Sequence, residues 1–326
     1  SISQHSFTKL VPGYYFRYNL DGSPRSKSGC GNDTASERIM MQNYMVDSAY
    51  FWATEYKLGG FRFDLMGLHT VDAMKAVMNK LKTYRADIVV YGEPWDMEDG
   101  IGMVSPKKPH ATQGNLYQVP GLGGFNDQMR DAIKGDPNGT GKGWVQLTAD
   151  GIYDDRLNKI KDGLMGKTTG GSTDPIQTVN YVSVHDNLTI YDKLRRSGKD
   201  FASDPARIKK QAIQAEALSL LSQGIGFVHA GSEILRSKPL PSGGFDHNSY
   251  KSPYSVNSIK WDEKYDNLAY HNFYVQMIAL KRHAPAFNLN TRSAVDAGST
   301  LQTPDKTTIH LTYRAGGDTY NIYHLG

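Results

Sequence analysis

The sequence predicts an α/β fold in which helices cover a parallel sheet that amounts to about half of an eight-stranded barrel. Helical and strand patterns alternate along the chain, and the strands are continuously apolar, which is typical of parallel sheets buried on both faces. The length of 326 residues suits one large α/β barrel. However, the patterns predict only four or five β/α units and a β tail, whereas a closed barrel needs eight units.

The first elements follow from turn chemistry and apolar spacing. Turn residues fill the first thirty-five positions, and a helix is predicted from Ser36 to Tyr56, where Gly59 and Gly60 stop it. The bulky apolar run Phe61–Leu65 predicts a buried strand. A second helix follows Thr70 as its cap, because apolar residues recur there at helical spacing.

The remaining elements alternate in the same way. A long stretch rich in glycine and proline runs from about Pro94 to Gly124 and predicts loop. The predicted strands are Ile88–Tyr91, Val179–Val184 and Ile225–His229, the predicted helices are 205–222 and 267–283, and the segments Thr308–Tyr313 and Tyr320–Tyr323 alternate like antiparallel strands.

Composition excludes several classes of protein. Hydrophobic residues make up 39% of the chain and charged residues 21%, which excludes general disorder. The net charge of +4 is small and no Lys/Arg cluster resembles a nucleic-acid stripe, so we expect no nucleic-acid partner. No run of about 18 apolar residues predicts a membrane span. The single cysteine, Cys30, excludes an internal disulfide framework.

Charged side chains stand where the predicted strands end. Arg62 and Asp64 lie at the end of one strand, Glu93 follows the next, and His185 and Asp186 follow Val184. A charge near a buried strand is costly unless it is paired, and the carboxyl ends of barrel strands are where barrel active sites lie. A single such carboxylate is readily explained as a strand-end ion pair, but three together predict an active site.

These blocks also carry a resemblance to a known family. Gly60-Phe61-Arg62-Phe63-Asp64, Tyr91-Gly92-Glu93-Pro94-Trp95 and Tyr181-Val182-Ser183-Val184-His185-Asp186-Asn187 resemble three signature regions of the α-amylase family of glycoside hydrolases. Within it the chain is most similar to bacterial type I pullulanases. The segments that favour them are Val11-Pro12-Gly13-Tyr14-Tyr15, Gly29-Cys30-Gly31-Asn32, Arg62 through Gly67, Phe125-Asn126-Asp127 and His247-Asn248-Ser249-Tyr250.

The resemblance implies a fold and a domain organisation. Residues 1–290 would form the C-terminal portion of a (β/α)8 TIM barrel that lacks strands 1–3, and residues 291–326 would begin a C-terminal β-sandwich. The family's first signature region is missing, since no Asn-His pair occurs in the sequence. A nicked enzyme, a trimmed segment and a natural remnant all explain this. An open parallel edge exposes backbone and apolar surface, so we expect the chain to be stable only when docked to an N-terminal half.

The resemblance also implies the activity and the role of each matched residue. The chain would hydrolyse α-1,6 bonds in branched α-glucans or pullulan with retention, with Asp64 as nucleophile, Glu93 as general acid/base and Asp186 stabilising the transition state. Arg62 and His185 would bind around the reacting sugar. An α-1,4-acting amylase and a glucan-binding relative without catalysis are the alternatives.

Physical chemistry supports this division of roles. Retaining hydrolysis needs two carboxyl groups roughly 5–5.5 Å apart, one ionised and one protonated. Arg62 points to the same face as Asp64 and would hold it ionised, while a drier site beside Pro94 and Trp95 would suit an acid. Further candidate substrate contacts are Trp95, Asn126, Asp127, Asn187, Asn248 and Tyr250; for the Asn-Asp and Asn-Ser pairs, turn formation is an equally good explanation.

Other site chemistries have weaker support. His185 and Asp186 could form part of a metal site, but the remaining histidines show no spacing that completes one. Gly139–Gly143 fails as a phosphate loop, because Gly143 follows Lys142 where Ser or Thr is needed. We therefore expect no required cofactor, although calcium is common in the family and its ligands cannot be assigned. A bacterial enzyme that acts on large external glucans is expected to be secreted or held at the cell surface rather than cytoplasmic.

Overall fold

The computed structural model describes residues 6–97, 108–147, 151–152, 154–168, 174–198 and 204–325. These residues form two compact units, one up to Phe125 and one from Asn126 onward. Within the described residues, none of the helices combines the length and apolar character needed to cross a bilayer.

The first unit packs helices on three parallel strands. Its helices are α1 (Ser6–Leu10), α2 (Ile39–Tyr56) and α3 (Val71–Tyr84), and its strands are β1 (Gly60–Phe63), β2 (Val89–Gly92) and β3 (Leu122–Phe125). β2 lies between β1 and β3, and both pairings are parallel. The side chain of Thr70 accepts a hydrogen bond from the backbone N–H of Ala73, which confirms Thr70 as the cap of α3.

The core of the first unit follows from the helical spacing of α3. Met74, Val77 and Leu81 lie one turn apart and are buried against the apolar residues of α2 and the strands. One side of α2 joins this core through Met45 and Ala49. The predicted helices and the first two strands are therefore confirmed, with boundaries shifted by up to three residues.

The sequence prediction missed β3, which lies at the end of the glycine- and proline-rich stretch. The strand reads Leu-Gly-Gly-Phe and is fully buried. A Cβ on Gly124 would approach the side chain of Leu116 to 2.5 Å and that of Pro94 to 3.0 Å. A larger residue at Gly124 would displace these two side chains, so glycine suits the close packing here, although glycine in a sequence argues against a strand.

The second unit combines helices, a short parallel pair and an antiparallel sheet. Its strands are β4 (Thr178–Asn180), β5 (Ile225–Gly226), β6 (Ser299–Asp305), β7 (Thr308–Ala315) and β8 (Asp318–Leu325). β4 and β5 are parallel, and β7 pairs with β6 and β8 in antiparallel register. The helices are α4 (Asp127–Lys134), α5 (Asp154–Leu164), α6 (Ile190–Ser197), α7 (Pro205–Leu220), α8 (Tyr254–Asn257), α9 (Glu263–Asp266), α10 (Leu268–His283) and α11 (Arg292–Gly298).

Several sequence predictions for this unit were incomplete. Strand β4 ends at Asn180 rather than Val184, and β5 ends at Gly226 rather than His229. The short polar helices α4, α5 and α6 and strand β6 were not predicted. The antiparallel tail is confirmed, and Ile309, Leu311 and Tyr313 of β7 are buried in the core of this unit. The predicted domain boundary near residue 290 stays a prediction.

Candidate active site

A single arginine joins two of the three candidate catalytic carboxylates. Strands β1 and β2 are neighbours with Phe63 opposite Gly92, so Asp64 and Glu93 leave the sheet at the same level. Nη1 of Arg62 lies 2.5 Å from Oδ1 of Asp64, and its Nη2 lies 2.6 Å from Oε1 of Glu93. The structure thus brings Arg62, Asp64 and Glu93 together at the carboxyl end of two parallel strands.

The two carboxylates lie in different surroundings. The side chain of Asp64 is 71% exposed, whereas that of Glu93 is 8% exposed. The second oxygen of Glu93, Oε2, accepts a hydrogen bond of 2.9 Å from the backbone N–H of Leu65. Glu93 is therefore a buried carboxylate with partners for both oxygens, as burial of a charge requires, while Asp64 is open to a ligand.

The chain turns sharply after Asp64. Leu65 adopts a left-handed conformation with φ of 43°, and a 3-10 turn from Met66 to Leu68 follows. The N–H of Gly67 donates to the carbonyl of Glu93 over 2.8 Å. A Cβ on Gly67 would lie 1.9 Å from the backbone oxygen of Trp95, so only glycine allows the turn to pack on this segment. The side chain of Trp95 is half-buried.

His185 and Asp186 lie in the loop after β4, in the second unit. Their side chains are 63% and 56% exposed, and Nε2 of His185 is 3.6 Å from Oδ2 of Asp186. The next residue, Asn187, has a positive φ of 62°, as Leu65 does after Asp64. Asparagine adopts this conformation more readily than leucine does, and here it marks a tight turn after Asp186.

Lys238 supports this turn and was not singled out from the sequence. Its side chain is 1% exposed, and its Nζ donates to the carbonyls of Asn187 at 2.7 Å and His185 at 3.3 Å. The same Nζ donates to Oγ of Ser249 at 3.2 Å. Lys238 lies in a loop rich in glycine, serine and proline, where no sequence signal marks a buried cation.

Asn126 and Asp127 begin helix α4. The side chain of Asn126 is buried, accepts from the backbone N–H of Met129 and donates to Oδ1 of Asn180 over 2.9 Å. Asp127 is half-buried, and burial raises the pKa of its carboxyl. It lines a cavity of about 660 Å³. The role of Asn126 in binding a ligand stays a prediction.

Asn248 and Tyr250 flank the Ser249 that Lys238 binds. Both side chains are exposed, and Tyr250 is 73% exposed. The backbone N–H of Asn248 donates to Oδ1 of Asp246 over 2.8 Å. The segment is thus a fixed turn that presents an amide and an aromatic ring to solvent. The assignment of these and the other candidate residues to catalysis or ligand binding stays a prediction.

The described residues offer no cluster of three or more His, Cys, Asp or Glu side chains arranged to hold a metal ion. The expectation that calcium is bound stays a prediction.

Comparison with known proteins shows what the chain is similar to. No protein-family model matches the sequence. It is 34% identical to a pullulanase of Bacillus subtilis (strain 168) over 330 residues, which is 98% of this chain and 42% of that protein. It is 33% identical to the chloroplastic pullulanase 1 of Arabidopsis thaliana, over 78% of this chain and 31% of that protein.

Solved structures give the same result. A mutant pullulanase from Paenibacillus barengoltzii complexed with maltotetraose matches with a TM-score of 0.87 and 36% identity, over 99% of this chain and 49% of that chain. The type I pullulanase of Bacillus subtilis complexed with maltose matches with a TM-score of 0.88 and 28% identity, over 99% of this chain and 44% of that chain. The chain thus spans less than half the length of these relatives. The predicted fold, a portion of a (β/α)8 barrel with the beginning of a β-sandwich, is confirmed.

Proposed function

Because this chain belongs to the pullulanase family of glycoside hydrolases, we propose that it carries the catalytic carboxylates of an enzyme that hydrolyses α-1,6 bonds in pullulan and branched α-glucans. The observation that supports this most directly is the bridge that Arg62 makes between Asp64 and Glu93. Two carboxyl groups on either side of one guanidinium match the paired acids that retaining glycoside hydrolysis needs.

The different surroundings of Asp64 and Glu93 suit the nucleophile and the general acid/base of a double displacement. In the first step an oxygen of Asp64 bonds to the anomeric carbon, and the bond to the leaving glycosidic oxygen breaks as Glu93 gives it a proton. In the second step a water molecule gives a proton to Glu93 and its oxygen replaces Asp64 on the sugar. The exposed Asp64 is accessible for attack, and the buried Glu93 is held in one orientation.

Arg62 and Leu65 would keep Glu93 ready for both steps. Burial favours the neutral carboxyl, whereas the guanidinium and the backbone N–H favour the carboxylate. Opposing influences of this kind suit a group that gives up a proton and then takes one back. Asp186 would stabilise the charged transition state from the loop after β4, with His185 beside it.

We propose that the reaction needs no organic cofactor, since two carboxyl groups and water account for every bond and proton. Pullulan and branched glucans are large polymers, so we place the enzyme outside the cell or at its surface.

The proposed partner is a polypeptide that corresponds to the preceding half of the relatives. Helix α2 exposes an aromatic cluster at its C-terminal end: Phe51 is 50%, Trp52 44% and Tyr56 58% exposed. The rings of Trp52 and Tyr56 lie 4.3 Å apart. An apolar patch of this kind marks an interaction site, and strand β1 pairs only with β2 among the described strands. Further β/α units would cover both features.

The experiment uses the complete protein, with the preceding half present, on pullulan and on linear amylose. We expect maltotriose from pullulan, and a fall in kcat of at least about 100-fold in Asp64→Asn and Glu93→Gln. Activity on amylose alone would instead support an α-1,4-acting amylase. Variants as fast as the parent would support a relative without catalysis.

The chain offers a matched control for Asp64. Asp87 also follows an arginine by two residues, and Nη2 of Arg85 lies 2.6 Å from its Oδ2. This pair precedes β2, at the opposite end of that strand from Glu93, and its carboxyl is 73% exposed. Asp87→Asn therefore removes the same kind of charge and should leave pullulan hydrolysis unchanged.

A further inference from the structure

Lys238 joins two segments that the sequence analysis assigned to one site. Its Nζ binds the carbonyls of His185 and Asn187, the two residues on either side of Asp186, and Oγ of Ser249, the residue between Asn248 and Tyr250. A buried ammonium with three oxygen acceptors is fully compensated, so its position is well defined.

The backbone around Lys238 is held as firmly as its side chain. Its N–H donates to Oδ2 of Asp192 over 2.7 Å, and Oγ of Ser237 donates to Oδ1 of the same carboxylate over 2.5 Å. Asp192 lies in the first turn of α6, whose cap is Thr189. The chain from Asn187 to α6 and the loop at Lys238 thus support each other.

Lys238 holds the turn at Asp186 through its backbone. Asn187 adopts a left-handed conformation, which asparagine tolerates better than most residues other than glycine. Nζ of Lys238 binds the carbonyls of the residues on both sides of Asp186. The Lys238 ammonium therefore fixes the orientation of the exposed Asp186 carboxyl through the backbone, without contact with a ligand.

We propose that Lys238 is a positioning residue that orients Asp186 and couples it to the Asn248–Tyr250 turn. The role in catalysis rests on the proposed function. A shift of about 1 Å in a catalytic group can lower a rate about 100-fold. Loss of the ammonium would therefore lower kcat without removing any group that contacts the glucan.

The test compares Lys238→Met with Lys281→Met in the complete protein. Lys281 is also buried, and its Nζ donates to the carbonyls of Ser222 at 2.5 Å, Gly224 at 3.0 Å and Phe287 at 2.8 Å. These carbonyls lie before β5 and after α10, away from the turn at Asp186. Both variants remove a buried ammonium from three acceptors, so both should lose stability.

Only Lys238→Met should lower kcat on pullulan, by about 100-fold. In an Asp186→Asn background the same substitution should cause little further loss, because the group it positions is already gone. If Lys238→Met keeps kcat within about threefold of the parent, or if its effect adds fully to that of Asp186→Asn, the positioning role is wrong.

Hydrogen exchange separates this inference from the proposed function. Backbone amides of residues 187–190 and 248–252 should exchange at least about tenfold faster in Lys238→Met than in the parent. Their exchange rates should be unchanged in Lys281→Met. Lys238→Gln, which keeps a shorter donor, replaces the methionine variant if that variant does not fold. A parent protein without α-1,6 activity would overturn the proposed function alone. Exchange rates in both segments that are the same in Lys238→Met as in the parent would overturn the coupling.

Discussion

The backbone N–H of Leu65 donates a hydrogen bond of 2.9 Å to Oε2 of Glu93. Leu65 also takes a left-handed conformation with φ of 43° directly after Asp64. The strained residue therefore links the exposed carboxylate to the buried one through the main chain. Strain of this kind persists where the surrounding structure fixes it, and it concentrates at functional sites.

The first prediction concerns this strain. Leu65→Ala and Leu65→Gly both remove the leucine side chain, but only glycine tolerates a positive φ without cost. We expect the glycine variant to have a free energy of unfolding about 1 kcal/mol higher than the alanine variant. Urea denaturation of the two variants measures the difference. Equal stability would show that the conformation of Leu65 is not strained.

The second prediction separates the roles of Asp64 and Glu93. Fluoride leaves a glycosyl fluoride without protonation. The substitution Glu93→Gln should therefore slow the first step much less on an α-maltosyl fluoride than on pullulan. The second step still needs a base, and a covalent sugar adduct should accumulate and be visible in the mass of the intact protein. Asp64→Asn should form no adduct. An adduct in Asp64→Asn would contradict its role as nucleophile.

These two predictions differ in how far the sequence alone supports them. Strands β1 and β2 were predictable to within two residues, because each is a short run with bulky apolar residues and has a charged residue at its end. The contact of Arg62 with Asp64 follows from their spacing on an extended strand. The left-handed conformation of Leu65 was not predictable, because leucine rarely adopts it.

Other parts of the structure were hidden from sequence reasoning for physical reasons. Strand β3 was missed because Gly123 and Gly124 resemble loop residues, although Gly124 packs closely on the side chains of Leu116 and Pro94. Lys238 was missed because burial of a single lysine depends on which distant oxygens fold around it. Helices α4, α5 and α6 are short and polar, and tertiary packing rather than intrinsic propensity stabilises such helices.

The third prediction concerns the close contact at Gly67. Gly67→Ala would place a Cβ 1.9 Å from the backbone oxygen of Trp95, so either the 3-10 turn or the segment after Glu93 must move. We expect a loss of about 1–3 kcal/mol in stability and a lower kcat on pullulan. Gly59→Ala is the matched control, since its Cβ would meet only Nη1 of Arg85 at 3.6 Å. An equal effect of both substitutions would exclude a specific role for Gly67.

The fourth prediction concerns the pH dependence of stability. His324 of β8 is 2% exposed, and burial lowers the pKa of its imidazole from 6.5 to about 4. The unfolded chain therefore binds a proton as the pH falls below 6.5, while the folded chain does so only near 4. His324 thus lowers the free energy of unfolding as the pH falls through this window, by about 2 kcal/mol between pH 7 and pH 5.

Replacement of His324 by leucine removes this titration. We expect the difference in urea midpoint between pH 7 and pH 5 to be smaller in His324→Leu than in the parent. The exposed His283 supplies the control, because His283→Leu should leave that difference unchanged. If the pH dependence of His324→Leu equals that of the parent, the imidazole of His324 does not stay neutral in the folded chain.

The fifth prediction concerns the aromatic cluster of α2 formed by Phe51, Trp52 and Tyr56. We expect this chain, expressed alone, to bind a hydrophobic dye such as ANS and to associate with itself, because the cluster exposes apolar rings to water. Coexpression with the preceding half should give a one-to-one complex that no longer binds the dye. Trp52→Ser should weaken this complex, since burial of a tryptophan contributes several kcal/mol to an interface.

The control is Tyr254→Ser in α8, which removes an aromatic side chain that is 85% exposed on the second unit and should leave the complex intact. A monodisperse, cooperatively melting monomer of the chain alone would show that the α2 cluster needs no partner.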